Sequence, residues 1–192
     1  MKITIPGDEL QRIIKTCKPC VCTEDFREAL QHIELECANG IGYATALDGF
    51  KMIQTSFSYA GDNGVILLPL LKDIDKYSAY EIELVDGMLS IYDGKTKIIR
   101  RACNSSFINW RKVAEKTTEP SFKIGVNPKY LKKVLDVSGD CVVLEFYDEL
   151  GGFFVRGDGV TGMVLPVRIG GGYDHFRKFP LVDRGVQAKE DA

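Results

Sequence analysis

Long apolar runs are missing from this 192-residue chain. The longest, Gly64 to Leu71, falls far short of the ~20 residues a membrane helix needs, so no membrane association is expected. Histidine is scarce. His32 and His175 are the only two, and neither has a catalytic or metal-ligating partner near it in sequence. No Ser-His-Asp or Cys-His pairing and no Walker-type loop occurs. Gly151-Gly152 and Gly157-Asp-Gly159 read as turns, not a phosphate cradle, and Asp48-Gly49 and Asp86-Gly87 read as turns, not acid catalysts. These absences point away from an enzyme and from any cofactor. An excess of one charge is missing too: Lys+Arg 25 against Asp+Glu 27 gives a net charge of -2. That excludes a globally basic nucleic-acid binder and leaves a locally basic face open. The opening Met-Lys-Ile-Thr-Ile-Pro has no apolar core or cleavage site of the secretory kind, so a cytoplasmic location is expected.

Cysteine is present six times, at 17, 20, 22, 37, 103 and 141. Without a secretory signal, reduced thiols are the expectation. The cluster Cys17-Lys-Pro-Cys20-Val-Cys22 has the look of a metal knuckle, yet a closed zinc site takes four ligands and no second pair stands at useful spacing. With 45% hydrophobic residues, the chain can bury a core as one large domain or two small ones.

The chain reads as one unit written three times: a strand, a Pro or Gly, a short amphipathic helix, then strands. The first copy opens with Lys2–Ile5 and predicts a helix over about 8–18, with Leu10, Ile13, Ile14 and Cys17 at helical spacing. Strands at 32–37 and 41–46 flank Asn39-Gly40, a strong hairpin signal. The second copy opens with Val65–Leu68 and predicts a helix over about 70–77, then strands around Asp86-Gly87 and Asp93-Gly94. The third opens with Phe122–Val126. There Asn127 suits a helix cap with Pro128 at the first position, and Leu131, Val134 and Leu135 form the core face. Strands at 142–146, 153–156 and 163–169 follow. The polar stretch 104–120 reads as a linker. Gly170–Gly172 reads as a hinge, and 173–192 as a tail.

Eight basic residues face away from the predicted helix cores: Arg12, Lys15 and Lys18; Lys72 and Lys76; Lys129, Lys132 and Lys133. Asp136 shares the face of the last three. Three solvated helix faces carry such charges as a matter of course. The alternative is one shared basic surface that attracts phosphates without reading bases.

The segment Ala46-Leu-Asp-Gly-Phe-Lys-Met-Ile53 resembles the Ala-Thr-Asp-Gly-His-Arg-Leu segment of the bacterial sliding clamp, the DNA polymerase III β subunit. Asp25-Phe-Arg-Glu-Ala-Leu-Gln-His-Ile-Glu-Leu-Glu36 resembles the stretch before it. Ser106-Phe-Ile-Asn-Trp-Arg-Lys-Val113 is similar to the Phe-Pro-Asp-Tyr-Arg-Arg-Val segment that closes the clamp's middle domain. Ile124–Asn127 with Tyr130–Asp136 resembles the last helix region of the third domain, and Met163-Val-Leu-Pro-Val-Arg-Ile169 resembles the family's C-terminal end. The matches keep the family's order over most of residues 1–169.

This resemblance implies an α+β, DNA-clamp-like repeat with curved antiparallel sheets and short helices on one face. It implies a full domain over 1–118 and a half-domain over 119–169, short of the family's three domains, with the hinge and tail over 170–192. It implies a non-catalytic processivity factor that binds duplex DNA through the eight basic residues, docks DNA polymerase or other replication factors through short linear motifs, and self-associates as a dimer or tetramer. The alternative is a peptide-binding adaptor or decoy that does not encircle DNA. The implied peptide groove maps to Leu30, Leu47, Gly49, Phe50, Lys51 and Met52, and to Met163, Leu165, Pro166 and Val167. The family's Thr is Leu47 here and its His is Phe50, which predicts a more apolar slot. Phe176–Val182, tethered through the hinge, is a candidate to occupy that slot; packing elsewhere on the surface is the alternative.

Overall fold

A computed structural model gives the fold and describes residues 1–24, 27–114, 124–148 and 151–167. The expected hinge and tail at 170–192 lie outside the described residues, as do positions 115–120 of the expected linker and 122–123 of the third opening strand. The chain divides into two compact units, the first running from Met1 to Trp110 and the second beginning at Arg111.

The first unit holds β1 (Lys2–Pro6), α1 (Gly7–Cys17), β2 (His32–Ala38), β3 (Ile41–Leu47), β4 (Met52–Ser58), β5 (Ala60–Gly61), β6 (Gly64–Pro69), β7 (Ala79–Val85), β8 (Met88–Tyr92) and β9 (Lys97–Arg101). They form two antiparallel sheets, ordered β5-β1-β7-β8-β9 and β4-β3-β2-β6. The two copies exchange their opening strands. β1 leaves its own copy to pair with β7, Ile3 opposite Ile82. β6 does the reverse and pairs with β2, Ile66 opposite Leu35. The hairpins carry their turns where the dipeptides predict them: Asn39 and Gly40 both take positive φ, as do Asp86 and Gly87, the two-residue geometry that matches strand twist.

One core lies between the sheets. Alternation along each strand turns Ile3 and Ile5, Ile33 and Leu35, Ala44 and Ala46, and Tyr80 and Ile82 inward, where all are buried. The apolar stripe Leu10, Ile13, Ile14 and Cys17 of α1 closes it, as its spacing predicts. Ala44 leaves room for the helix, and the Cys17 thiol sits 3.8 Å from the Ala44 carbonyl oxygen. Burial pushes the Cys17 and Cys37 thiols up to about 12, so both are inert at neutral pH. Cys20 is in the same core and Cys22 in a smaller one; all six cysteines are free thiols. The Cys17–Cys22 cluster is packing, and among the described residues no group of three or more His, Cys, Asp or Glu could hold a metal.

The second copy departs from its prediction. No helix forms over 70–77; the segment is a chain of bends and turns. Aspartate chemistry explains the failure. Asp73 takes φ +54°, which no right-handed helix contains. The Asp75 carboxylate accepts from the Tyr77 N–H (3.0 Å) and the Ser78 hydroxyl (3.1 Å), and the Asp75 N–H donates to the Tyr80 hydroxyl (2.8 Å). Local side-chain bonds of this kind compete with helix formation. The loop is fastened to α1, because the Gly7 N–H donates to the Ser78 carbonyl at 2.8 Å. A Cβ on Gly7 would strike the carbonyl oxygens of Asp75 and Ser78, so this close approach requires glycine.

The second unit holds α2 (Arg111–Ala114), α3 (Pro128–Leu135), β10 (Val143–Glu145), β11 (Phe153–Gly157) and β12 (Val160–Val164), the strands forming one antiparallel sheet in sequence order. α3 starts as predicted: the Asn127 side chain accepts from the Lys129 N–H at 3.0 Å, and Pro128 occupies the first turn. Its core is small. Phe153, Val155 and Val164 are buried, and Leu131, Val134 and Leu135 of α3 pack on them half-buried. The stretch 104–120 is not a plain linker: Phe107 and Trp110 pack into the first unit, and α2 follows directly.

Candidate functional site

The segment Ala46–Met52 is the end of β3, a turn, and the start of β4, with Leu47 opposite Met52. The turn is built by Asp48. Its carboxylate accepts from the N–H groups of Phe50 and Lys51, both at 3.0 Å, and from the Lys51 ammonium. Those bonds, led by Lys51, pull the Asp48 carboxyl from its ordinary 3.8 down to about 2. A depressed carboxyl contributes order that is complete above its unfolded pKa and is lost as pH falls through its folded pKa. The Asp48–Lys51 turn therefore stays closed to pH ~4 and opens only as pH falls toward ~2. Amide shifts of Phe50 and Lys51 followed by NMR should titrate near 2, and Asp48→Asn should remove that titration.

The turn presents Phe50 at 97% exposure. Beneath it, Leu30 and Leu47 are not open lining. They are 2% and 5% exposed and pack with Cys22 and Trp110, with Met52 and Phe107 at the edge. Trp110, Phe107 and Cys22 are residues that sequence reasoning left out of the site. The aromatic pair Phe107 and Trp110 inside an otherwise polar stretch was the available signal. Arg27 approaches the turn from the other side, its Nη1 3.0 Å from where a Cβ on Gly49 would stand.

In the second unit, Met163, Leu165 and Val167 are 54%, 65% and 45% exposed, and Pro166 is half-buried. Their backbone is held by the Val167 N–H, which donates to the Gly125 carbonyl at 2.9 Å. Met163 and Leu165 converge over Gly152, whose missing side chain leaves them room: a Cβ there would stand 3.1 Å from the Met163 sulfur and 3.2 Å from Leu165 Cδ2.

The eight basic residues differ in availability. Arg12 is spent inside the first unit. Its guanidinium grips both carboxylate oxygens of Glu9 at 2.9 Å, and also bonds Thr55 Oγ1 at 2.7 Å and the Ser56 carbonyl, tying α1 to β4. Arg12 holds the Glu9 carboxyl below its usual range. Lys15 and Lys18 are exposed. Lys72 and Lys76 are exposed on the non-helical loop, so their predicted i, i+4 pairing on a helix does not exist. Lys76 lies over the Tyr77 ring at 4.8 Å instead. Lys129, Lys132 and Lys133 are all exposed on α3, and their ammonium groups form no ion pair or hydrogen bond among the described residues. Lys132 and Lys133 sit in its last turn, where the helix dipole favours cations.

No family model matches the sequence, and no curated protein matches it. Solved structures do match the fold. The DNA polymerase sliding clamp from Bacillus subtilis aligns with 88% of this chain at a TM-score of 0.68 and 13% identity. The fold is the sliding-clamp fold. The DNA polymerase III β subunit from Pseudomonas aeruginosa aligns with 88% of this chain at 0.65 and 14% identity. A sliding clamp from Bartonella birtlesii bound to griselimycin aligns with 83% at 0.60 and 16% identity. This chain spans about half the length of each clamp: 50%, 52% and 47% respectively. The clamp fold accounts for the exchanged opening strands and for helices packed on antiparallel sheets. Among the described residues, no helix is long and apolar enough to cross a membrane.

Proposed function

We propose that the chain is a non-catalytic, clamp-like processivity factor that associates with duplex DNA without sequence preference and docks replication proteins through short linear motifs. The observation that carries this reading is α3, which on a sliding-clamp fold presents three exposed, unpaired lysines along its polar face. Phosphate contacts by lysine supply affinity without base readout. Lys15 and Lys18 add to it, while Arg12 does not, because its guanidinium is already neutralised. The test is fluorescence anisotropy on two duplexes of unrelated sequence across a salt series. Both should bind equally, and binding should weaken steeply with salt. Replacing Lys129, Lys132 and Lys133 by Gln should lower affinity about tenfold or more and flatten the salt slope by up to ~3. An unchanged slope would remove α3 from the interface.

A second reading has its own support. Phe50 stands fully in solvent beside an apolar cluster, and Met163 with Leu165 forms another exposed apolar pair. Compliant side chains of this kind suit peptide docking. With one predicted basic helix absent and Arg12 spent, an adaptor that captures replication factors without encircling DNA is the alternative. Peptide binding with no DNA association would select it. Self-association belongs to the first reading. β10 is an edge strand whose Val143 and Leu144 are 60% and 41% exposed, a surface suited to pairing. Light scattering should give two or four times the 21.4 kDa chain mass, and a monomer would favour the adaptor.

A further inference from the structure

The exchanged strands of the first unit make its two copies equivalent by an approximate two-fold relation. In the first copy, α1 follows β1 and packs across onto β4, the edge strand of the other sheet. The inward residues of β4, Ile53, Thr55 and Phe57, are half-buried or buried under it. The equivalent helix would follow β6 and cover β9, the edge strand of the five-stranded sheet. No helix is there. All five residues of β9 are exposed, and the inward pair Ile98 and Arg100 lines a groove of about 440 Å³. Its floor is apolar: Leu71, Ile74, Ile91 and Ile98.

The charges around the groove indicate what would fill it. Lys72 and Arg100 line it, and neither side chain forms a hydrogen bond or ion pair among the described residues. Two acids line it as well. The Asp93 carboxylate accepts from the N–H groups of Lys95 and Thr96 at 2.8 and 2.6 Å and keeps its charge, so Asp73 and Asp93 balance Lys72 and Arg100 along the lining itself, and the positive surplus around the groove comes from β9. β9 itself carries Lys97, Arg100 and Arg101 and no acid. The chain's own α3, with Lys129, Lys132 and Lys133, has the wrong sign for this site.

We propose that this groove is a docking site for an amphipathic helix of a partner protein, with an apolar ridge for Ile74, Ile91 and Ile98 and acidic flanks for Lys72 and Arg100. The partner helix takes the place that α1 fills in the other copy. The site shares no residue with the Phe50 turn or with α3, so its test is independent of theirs.

The probe is a designed peptide of about 14 residues, four helical turns, with leucines at i, i+3, i+7 and i+10 and glutamates on the flanks. A twin carries lysines in place of the glutamates. Isoleucine methyl NMR on the full chain reads the site. The glutamate peptide should shift the Ile74, Ile91 and Ile98 methyls and bind about tenfold or more tightly than its twin, and Arg100→Glu should narrow or invert that ratio. Ile98→Asp, on an exposed edge position, should abolish the shifts while the methyls of Ile3 and Ile33 stay in place. Equal binding of the two peptides, shifts confined to other methyls, or no shift in excess peptide would each overturn the proposal. Ile98 shifts that follow protein concentration alone would overturn it too, by assigning the groove to a second copy.

Discussion

Phe153→Ala should unfold the second unit and leave the first one folded. The second unit buries only Phe153, Val155 and Val164 among its described hydrophobic side chains, and Phe153 is the largest of them. Its ring also stacks on Phe146 at 4.8 Å. Truncating a buried phenylalanine costs about 3–5 kcal/mol, and a core this small supplies little more than that in total. The first unit draws on separate clusters that share no residue with this one. Amide NMR spectra should therefore lose dispersion for residues of β10, β11 and β12 while those of β1 to β9 keep theirs. Loss of both sets together would show that the units fold as one.

Trp110→Ala should cost the first unit about 3–5 kcal/mol and change its candidate docking surface at the same time. Trp110 is the chain's only tryptophan and is 7% exposed, packed on Cys22, Leu30 and Leu47. Removing it uncovers two leucines that are otherwise sealed. Urea unfolding followed by circular dichroism gives the stability change, since the variant has no tryptophan fluorescence. Trp110→Phe keeps most of the apolar area and should lose much less. If the adaptor reading holds, Trp110→Ala should also alter the affinity of linear-motif peptides, while a distant core change such as Ile82→Val should not.

Much of this fold is legible where local chemistry and tertiary packing agree. Asn39-Gly40 and Asp86-Gly87 suit the positive φ their hairpins need, and Asn127-Pro128 satisfies both a cap and a first turn. Legibility fails where short-range bonds win. Leu71 and Ile74 offer one helical turn of spacing, but Asp73 and Asp75 spend their side chains and backbone on a loop. β4 goes unnoticed because its inward residues mix Ile53, Thr55 and Phe57, which blurs the alternation. The basic faces show the limit most clearly. Arg12 reads as a free cation on a helix, yet its partners Thr55 and Ser56 lie on a strand more than 40 residues away. The sliding-clamp resemblance locates the Ala46–Met52 turn, while only packing shows that Leu30 and Leu47 lie beneath Trp110.

The exchange of opening strands also sets an order of assembly during synthesis. β1 is made well before its partner β7, which arrives roughly 80 residues later, since Ile3 pairs with Ile82. At ~5–20 residues per second the ribosome needs roughly 4–16 s to deliver it. Through that interval β1 can meet only the two-residue β5 of its sheet, while β2, β3 and β4 can close as successive hairpins. The waiting strand is short and carries Lys2 and Pro6 at its ends, features that discourage pairing with the wrong chain. The nascent protein thus carries a guard against aggregation on a strand that must wait for its main partner.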